Sequence, residues 1–278
     1  MLDPQQGFFV NWLVCVAVVA AVSLVSTALG VAGERLMGER VKIFALEVAP
    51  EQRRAEQLRY ARFVLLLATI AAIWLQAGWI RFADTDGVGP AALTFAAQWV
   101  AFEVYYYGLH RALHGRALYR FHAPHHDSRV TTAWTGQSLS VVESLGWIAG
   151  LVVPPTLMSL VAPLSETGLF VYFAANTFVN LVGHANVELN PIGHRALTWL
   201  NHPWIYHSLH HARYKGHYSF VSTFMDRAFG TEWDDWPVLH ARVVSGEPLE
   251  ALHARGFEGA RMRSEHGSSA EPRKDPAA

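Results

Sequence analysis

The sequence predicts an all-α fold: an integral membrane bundle of about four to five hydrophobic helices with a histidine-rich cap on its cytoplasmic side. Of the 278 residues, 51% are hydrophobic and only 16% are charged, whereas soluble domains carry about 25% charged residues. Several apolar stretches reach the roughly 17–25 residues that are needed to cross a bilayer. Eight of the 15 histidines lie in two short stretches, at residues 110–126 and 207–211.

The charge and cysteine content exclude several classes of protein. The net charge is −1, so the chain lacks the basic surface that would bind nucleic acid or anchor it to anionic lipid. The single cysteine, Cys15, excludes an internal disulfide framework and a thiolate metal site.

Three apolar stretches are predicted to span the membrane, at residues 8–32, 63–80 and 90–109. The first resembles a signal peptide in position but not in composition. No Lys or Arg precedes Arg35, and the apolar core is too long. We therefore expect this segment to be retained as a membrane helix.

A hydrophobic hairpin is predicted over residues 139–162 and 167–183, which are separated by a short polar turn. The pattern leaves open whether the hairpin crosses the bilayer or only enters it. Pro154 and Pro155 predict a kink or break in its first half.

The distribution of positive charge predicts the orientation. Seven cations lie in the 34–62 segment between the first two spans, whereas Arg81 is the only one between the second and third. Cytoplasmic loops carry the excess of Lys and Arg, so the N-terminus should face outward and residues 34–62 inward. Following the chain through the later spans places every histidine block on the cytoplasmic face.

Beyond residue 184 the chain becomes more polar, and its only repeat is the histidine pattern itself. We predict one domain over residues 1–254, with its histidine-rich core at about 95–238. The segment 255–278 has no apolar period and is predicted to be a disordered tail.

The histidine blocks have the spacing of metal ligands. In HRALH (110–114), HAPHH (122–126) and HSLHH (207–211), histidines three or four residues apart share one helix face, so each block should aim its imidazoles at one point. His184 follows Asn180 by four residues on the last apolar helix. Interfacial anchoring or pH sensing also uses histidines near a bilayer, but the repeated spacing favours metal binding.

Eight or nine imidazoles exceed the needs of one ion, so two ions are the natural number. Nitrogen ligands suit zinc, copper, nickel or iron. A structural zinc site is closed by four ligands, and the surplus of histidines argues against one. Two adjacent ions with open positions suit oxygen activation, although the residue pattern alone does not select iron.

HxxxH, HxxHH, a single later histidine and a second HxxHH, interleaved with apolar hairpins, resemble the fatty acid hydroxylase/sterol desaturase superfamily of membrane enzymes. The resemblance runs from about residue 95 to 238. It includes HAPHHDSRVTTA (122–133), NLVGHANVEL (180–189) and DRAFGT (226–231). The last histidine block also resembles plant wax-pathway members.

The resemblance implies a centre of two iron ions that activates O2, with zinc able to replace iron in preparations. His217 stands where the family has an asparagine before tyrosine, which makes it a candidate tenth ligand or a hydrogen-bond donor. After the second block the family often has a further histidine, where this chain has Glu143 instead. The nine ligands implied are His110, His114, His122, His125, His126, His184, His207, His210 and His211.

Four further residues are candidates for contact with the ligands. Glu103 lies inside the third span on nearly the same helix face as His110, where it would bind an imidazole or pair with an arginine or tyrosine. Asp127 either contacts the site or caps a helix. Asn180 and Tyr206 lie beside the later ligands.

The resemblance further implies a monooxygenase that uses O2 to hydroxylate a C–H bond of a lipid, such as a sterol or fatty acyl chain. No Gly-rich dinucleotide motif follows a strand, so a cytochrome, ferredoxin or flavoprotein would supply electrons. A desaturase or an aldehyde-processing enzyme is the alternative on the same scaffold. A non-catalytic metal-binding or transport protein is the alternative in another class, but its ligands should lie at mid-membrane depth rather than at span ends.

Overall fold

The computed structural model describes residues 7–84, 86–194 and 196–262, which are built from helices joined by loops. These residues form isolated β-bridges but no strand, which confirms the all-α prediction. The helices are α1 (Phe8–Val41), α2 (Pro50–Gln76), α3 (Val88–Leu113), α4 (Tyr119–His126), a 3-10 turn (Thr135–Gln137), α5 (Val141–Val161), α6 (Glu166–Gly183), α7 (Trp204–Arg213), α8 (Phe224–Ala228) and α9 (Trp236–Val244).

Five hydrophobic helices form a closed ring. α1 packs against α2 and α6, α3 packs against α5 and α6, and α2 closes the ring against α5. Among them α1, α2 and α5 have the length and hydropathy needed to cross a membrane. α3, which contains the predicted span 90–109, and α6 are not among these three, and both carry buried polar side chains, namely Gln98, Asn176 and Asn180. The five predicted hydrophobic segments are therefore all helices of one bundle.

The cation-rich 34–62 segment lies at the same end of the ring as the histidines. Much of it is helical, since α1 continues to Val41 and α2 begins at Pro50. The Arg59 guanidinium of α2 donates to the carbonyl oxygen of Pro124, within the second histidine block, at 2.6 Å. The cation-rich segment that predicts the orientation is thus in direct contact with the histidine end of the ring. That this end faces the cytoplasm stays a prediction.

α5 is continuous through Pro154 and Pro155, so the predicted break is absent. Proline has no N–H, and each one leaves the carbonyl four residues earlier without its helical donor. The carbonyl of Gly150 accepts instead from the Gln98 side chain of α3, at 3.1 Å. Glycine is required at position 150 because a Cβ atom there would lie 2.6 Å from the Tyr105 ring. A polar side chain from a neighbouring helix replaces the missing donor, as membrane bundles commonly arrange.

The polar half of the chain folds into a cap over the histidine end of the ring. Its core lies between α7 and α9, where Ile205, Leu209 and Trp236 are fully buried. This core holds α7, and therefore the third histidine block, against the ends of the membrane helices.

The first part of the predicted disordered tail, residues 255–262, packs on this cap. The Arg255 guanidinium lies 4.6 Å from the centre of the Trp233 ring. The Gly256 N–H donates to the Asp235 carboxylate at 3.0 Å. The rest of the predicted tail, residues 263–278, lies outside the described residues.

Candidate metal centre

Nine histidines meet at the end of the ring that the cap covers. Their ring nitrogens form two groups, and within each group the ligand atoms lie within 4.8 Å of one another. The groups are neighbours, since the ring centroids of His126 and His211 are 4.7 Å apart. The first group has five members and the second has four: His110, His114, His122, His126 and His210; His125, His184, His207 and His211.

Each HxxHH block supplies both groups. In α4, His122 and His126 lie four residues apart and join the first group, whereas His125 joins the second. α7 has the opposite arrangement, with its pair in the second group and His210 in the first. At 3.6 residues per turn, a pair four residues apart points in nearly one direction, and the third histidine is rotated from it by about 60–100°. Contrary to the expectation from their spacing, the two HxxHH blocks do not each converge on one point; each supplies imidazoles to both groups.

Helix ends position the remaining ligands. His110 lies in the last turn of α3, and His114 is the C-cap residue of that helix. His184 is the C-cap residue of α6. Because α3 and α6 end at the same face of the ring, histidines from three separate parts of the sequence meet there.

Backbone carbonyls and one carboxylate set the ring orientation of five ligands. Carbonyl and carboxylate oxygens accept hydrogen bonds, so the Nδ1 atom that contacts one carries the hydrogen and Nε2 keeps its lone pair. Histidines that bind metals show the same arrangement. The contacts span 2.5–3.0 Å and join His110 to Tyr218 O, His122 to Glu143 Oε1, His184 to Asn180 O, His210 to Gly216 O and His211 to Ser128 O.

The Nε2 atoms of the first group are close together. Nε2 of His126 is 3.0 Å from that of His122 and 3.1 Å from that of His210. Both neighbouring Nε2 atoms carry lone pairs, and a single N–H on His126 can donate to only one of them. Ligands at right angles on a metal with bonds of about 2.1 Å lie about 3.0 Å apart. In addition, Nε2 of His110 and of His211 is buried with no hydrogen-bond partner. The residues present therefore fit bound metal ions.

Burial keeps the ligands in the form that binds metal. Burial, followed by the charges of neighbouring histidines, lowers the pKa of His125, His207 and His211 well below its usual value. Burial also lowers the pKa of His184 to about 4. Neutral imidazole is the metal-binding form, so these side chains have their lone pairs available at neutral pH.

Glu143 contacts a ligand directly. Its Oε1 atom accepts from Nδ1–H of His122 at 2.6 Å, and both side chains are buried. Glu143 lies in the first turn of α5, where its backbone N–H donates to Ser140 Oγ at 3.1 Å. The S-x-x-E spacing of a capping box was therefore a signal for the start of α5. The local sequence around Glu143 did not predict its contact with His122, because His122 belongs to another helix.

Glu56 of α2 organises the loop behind the second group, and sequence reasoning missed it. Its buried carboxylate accepts from the hydroxyls of Ser128, Thr132 and Thr135 at 2.6–3.0 Å. The carbonyl of Ser128 in turn accepts from Nδ1–H of His211 at 3.0 Å. Glu56 therefore acts on a ligand through the backbone of the loop.

Glu103 has a similar position behind the first group. Neither predicted partner is found there: the carboxylate accepts from the Val221 N–H at 3.0 Å and from the Ser222 hydroxyl at 2.8 Å. The same loop carries Tyr218, whose carbonyl accepts from His110. Glu103 therefore contacts the loop that holds His110 rather than an imidazole, and its role at the site stays a prediction.

Two other predicted neighbours contribute less than expected. Asp127 is the C-cap residue of α4, and its exposed carboxylate pairs with Arg59 at 3.1 Å. Asn180 contributes its backbone carbonyl to His184, while its side chain donates to the carbonyl of Gly136 at 2.7 Å.

His217 and Tyr206 stack on each other outside both groups, with ring centroids 3.5 Å apart. His217 Nδ1–H donates to the carbonyl of Tyr206 at 2.8 Å, and its Nε2 accepts from the Trp233 N–H at 3.0 Å. Both nitrogens are therefore in use, and the structure does not place His217 as a tenth ligand. The Tyr206 hydroxyl donates to Asp226 at 3.1 Å rather than contacting a ligand.

Residues 95–231 match the family model for fatty acid hydroxylases, and all nine histidines of the two groups fall inside the match. The chain belongs to the fatty acid hydroxylase/sterol desaturase superfamily. The resemblance inferred from the histidine spacing of this superfamily member is therefore confirmed.

Curated plant proteins are similar over much the same region. The very-long-chain aldehyde decarbonylase CER1 of Arabidopsis thaliana is 33% identical over 168 residues, which cover 58% of this chain and 26% of the relative. The very-long-chain aldehyde decarbonylase GL1-6 of Oryza sativa subsp. japonica is 31% identical over 194 residues, which cover 66% of this chain and 29% of the relative. This superfamily member thus spans less than a third of the length of such relatives. No solved structure matches the chain.

Proposed function

We propose that this protein is a membrane-bound di-iron monooxygenase that hydroxylates a C–H bond of a lipid, using O2 and electrons from a separate donor. One observation carries the proposal. Two imidazole groups lie next to each other with their Nε2 atoms directed inward, while backbone carbonyls and Glu143 accept hydrogen bonds from Nδ1–H on the other side of the rings. Membership of the superfamily supports it.

The size of the first group favours iron over structural zinc. Its five imidazoles exceed the four ligands of a closed zinc site. One iron would be held by each group. When bound, iron supplies the redox chemistry for O2 reduction and C–H oxidation, which zinc lacks.

The chain itself orients the ligands and limits access to them. The Nδ1–H contacts keep the five rings from rotating, and burial keeps water away from their nitrogens. A cavity of about 20 Å³ reaches His184 and His207 between Tyr106, Trp204 and Val221, which is room for about one water-sized molecule. Substrate would approach the second group from this cavity.

The reaction needs partners that the chain does not supply. Hydroxylation places one oxygen atom of O2 in the C–H bond and reduces the other to water, which takes two electrons and two protons. A cytochrome, ferredoxin or flavoprotein would deliver the electrons at the histidine end, which we assign to the cytoplasm because the 34–62 cations lie there. The N-terminus would then face outward.

Aldehyde processing on the same scaffold is the second candidate. It is supported by the names of CER1 and GL1-6, which are called very-long-chain aldehyde decarbonylases. A desaturase would use the same ligands, so analysis of the products must distinguish desaturation from hydroxylation and aldehyde processing.

Metal and product analysis of the purified protein tests the proposal. We expect two irons per chain and O2 consumption that depends on both a chemical reductant and a lipid. His210→Ala should reduce both the iron content and the O2 consumption, whereas Asp127→Asn, which removes an exposed carboxylate, should reduce neither. Exchangeable zinc without O2 consumption would favour a non-catalytic metal-binding protein. Lipid profiling of a deletion strain would then separate the enzymes, through a precursor that lacks one hydroxyl, one that lacks a double bond, or an accumulated aldehyde.

A further inference from the structure

A group of exposed apolar residues lies on the cap, where a water-facing surface would be polar. It is formed by the 197–200 segment, α8 and the residue that follows α8, and each member is between 49% and 62% exposed. Soluble proteins rarely expose contiguous apolar patches above a few hundred Å² without a partner. We term these residues the apolar shoulder: Leu197, Trp199, Leu200, Phe224 and Phe229.

Hydrogen bonds join the two parts of the apolar shoulder into one surface. The backbone N–H and the hydroxyl of Thr223 donate to the carbonyl of Thr198, at 3.2 Å and 3.1 Å. The Arg227 guanidinium donates to the Thr198 hydroxyl at 3.0 Å. The His202 N–H donates to the carbonyl of Val221 at 2.7 Å. The exposed side chains are therefore held side by side rather than on independent loops.

The apolar shoulder continues the outer side of α3. Phe229 stacks on Tyr107 with ring centroids 5.3 Å apart. Val104 and Val100 precede Tyr107 on the same helix face, and they are 52% and 64% exposed. Arg111, one turn further along, lies 5.7 Å from the Phe229 ring. A cation just beyond an apolar face is typical of side chains that reach the headgroup region.

The cavity that reaches His184 and His207 borders the apolar shoulder. Its wall includes Asn201, which directly follows Leu200, and Val221 from the adjacent loop. The cavity therefore lies between the apolar shoulder and the end of α6.

We propose that the apolar shoulder is embedded in the boundary between headgroups and acyl chains, and that it brings the cavity mouth into the leaflet. An apolar substrate would then reach the histidines without crossing water. Lipid, rather than another protein, is the occupant because the shoulder continues the outer face of α3 and combines Trp199 with Arg111, residue types of the membrane interface. The role in substrate entry rests on the proposed function; the membrane contact does not.

The single cysteine allows the contact to be measured at chosen positions. In a Cys15→Ser background, Leu200→Cys and Phe224→Cys are labelled with a small fluorophore, and the full chain is reconstituted in phosphatidylcholine vesicles. We expect both labels to be quenched by brominated lipid and protected from iodide, as at Val100→Cys on α3. Lys215→Cys, an exposed polar position of the cap, is the matched water-facing control. Iron content of each labelled protein reports whether it is folded.

Quenching by iodide at positions 200 and 224 as strong as at Lys215→Cys would overturn the proposal. Protection from iodide without quenching by brominated lipid would overturn it as well, because a second copy of the chain would then cover the shoulder. Quenching by brominated lipid in a protein that consumes no O2 would contradict the proposed function and leave the membrane contact standing.

Kinetics test the role in substrate entry. Leu200→Glu and Phe224→Glu should raise KM for a bilayer-dissolved substrate at least about fivefold, with kcat and iron content unchanged. Phe257→Glu alters an exposed apolar residue outside the apolar shoulder and should leave KM as it is. An unchanged KM in both shoulder variants would refute entry at this position.

Discussion

The Oε1 atom of Glu143 lies 2.6 Å from Nδ1 of His122, so a carboxylate at the start of α5 decides which nitrogen of an α4 histidine faces the first group. Glu56 and Glu103 act one step further away, on the loops whose carbonyls hold His211 and His110. Each buried carboxylate thus serves a different ligand. Their removal should therefore affect the two groups separately.

Glu143→Ala should weaken iron binding by the first group by about 10–100-fold, because His122 loses the partner that sets its tautomer. Glu143→Gln keeps an oxygen that accepts from Nδ1–H of His122, so its affinity for iron should fall less. Titration of metal-free protein with Fe²⁺ measures both affinities. Asp127→Asn is the control, since that carboxylate is exposed and forms a surface ion pair worth little. Equal losses in Glu143→Ala and Asp127→Asn would contradict the assigned role of Glu143.

Glu56→Ala should lower iron content from two ions towards one, with the loss confined to the second group, because Ser128 loses its anchor. Leaving its hydroxyl partners unsatisfied should also reduce the free energy of unfolding by about 1–3 kcal/mol. Glu56→Gln, which retains one acceptor oxygen, should recover part of both. Iron analysis combined with Mössbauer spectra measures the occupancy of each environment. A spectrum in which both environments are lost equally would argue that Glu56 only stabilises the fold.

His217→Asn should retain both irons. The backbone at position 217 has φ 56°, a left-handed conformation that asparagine adopts more readily than most residues. His217→Val should unfold at lower temperature, because a β-branched residue is strained there and the bonds to Tyr206 and Trp233 are lost. Iron analysis and thermal unfolding distinguish the two effects. Loss of one iron in a folded His217→Asn protein would restore His217 as a ligand.

Gln98→Leu should destabilise the bundle by about 1–3 kcal/mol, because the Gly150 carbonyl loses its donor inside the membrane region. Pro154→Ala supplies a backbone N–H to the same carbonyl. The double variant should therefore be more stable than Gln98→Leu alone, and unfolding in detergent with a double-mutant cycle measures the coupling. Strictly additive effects would mean that Gln98 does not replace the donor that proline removes.

The helices and the ligand-bearing segments could be predicted because their signals are local. Apolar stretches marked α1, α2, α3, α5 and α6, and the spacing of His122, His126 and their counterparts marked histidines on short helices. The ends of the helices were harder to predict, because α1 and α2 extend beyond their apolar segments at the histidine end of the ring. Pro154 misled for a related reason: the donor that allows α5 to continue belongs to Gln98 on another helix.

The sequence by itself determined an all-α membrane bundle with its histidines beyond the ends of the membrane spans, because hydropathy and a period of 3.6 residues act over a few turns. Only the tertiary structure decided that the nine histidines divide into five and four, and that Glu143, Glu56 and Glu103 hold them in place. Those assignments depend on contacts between segments that are far apart along the chain. No local pattern encodes which side chains will meet when the ring of helices closes.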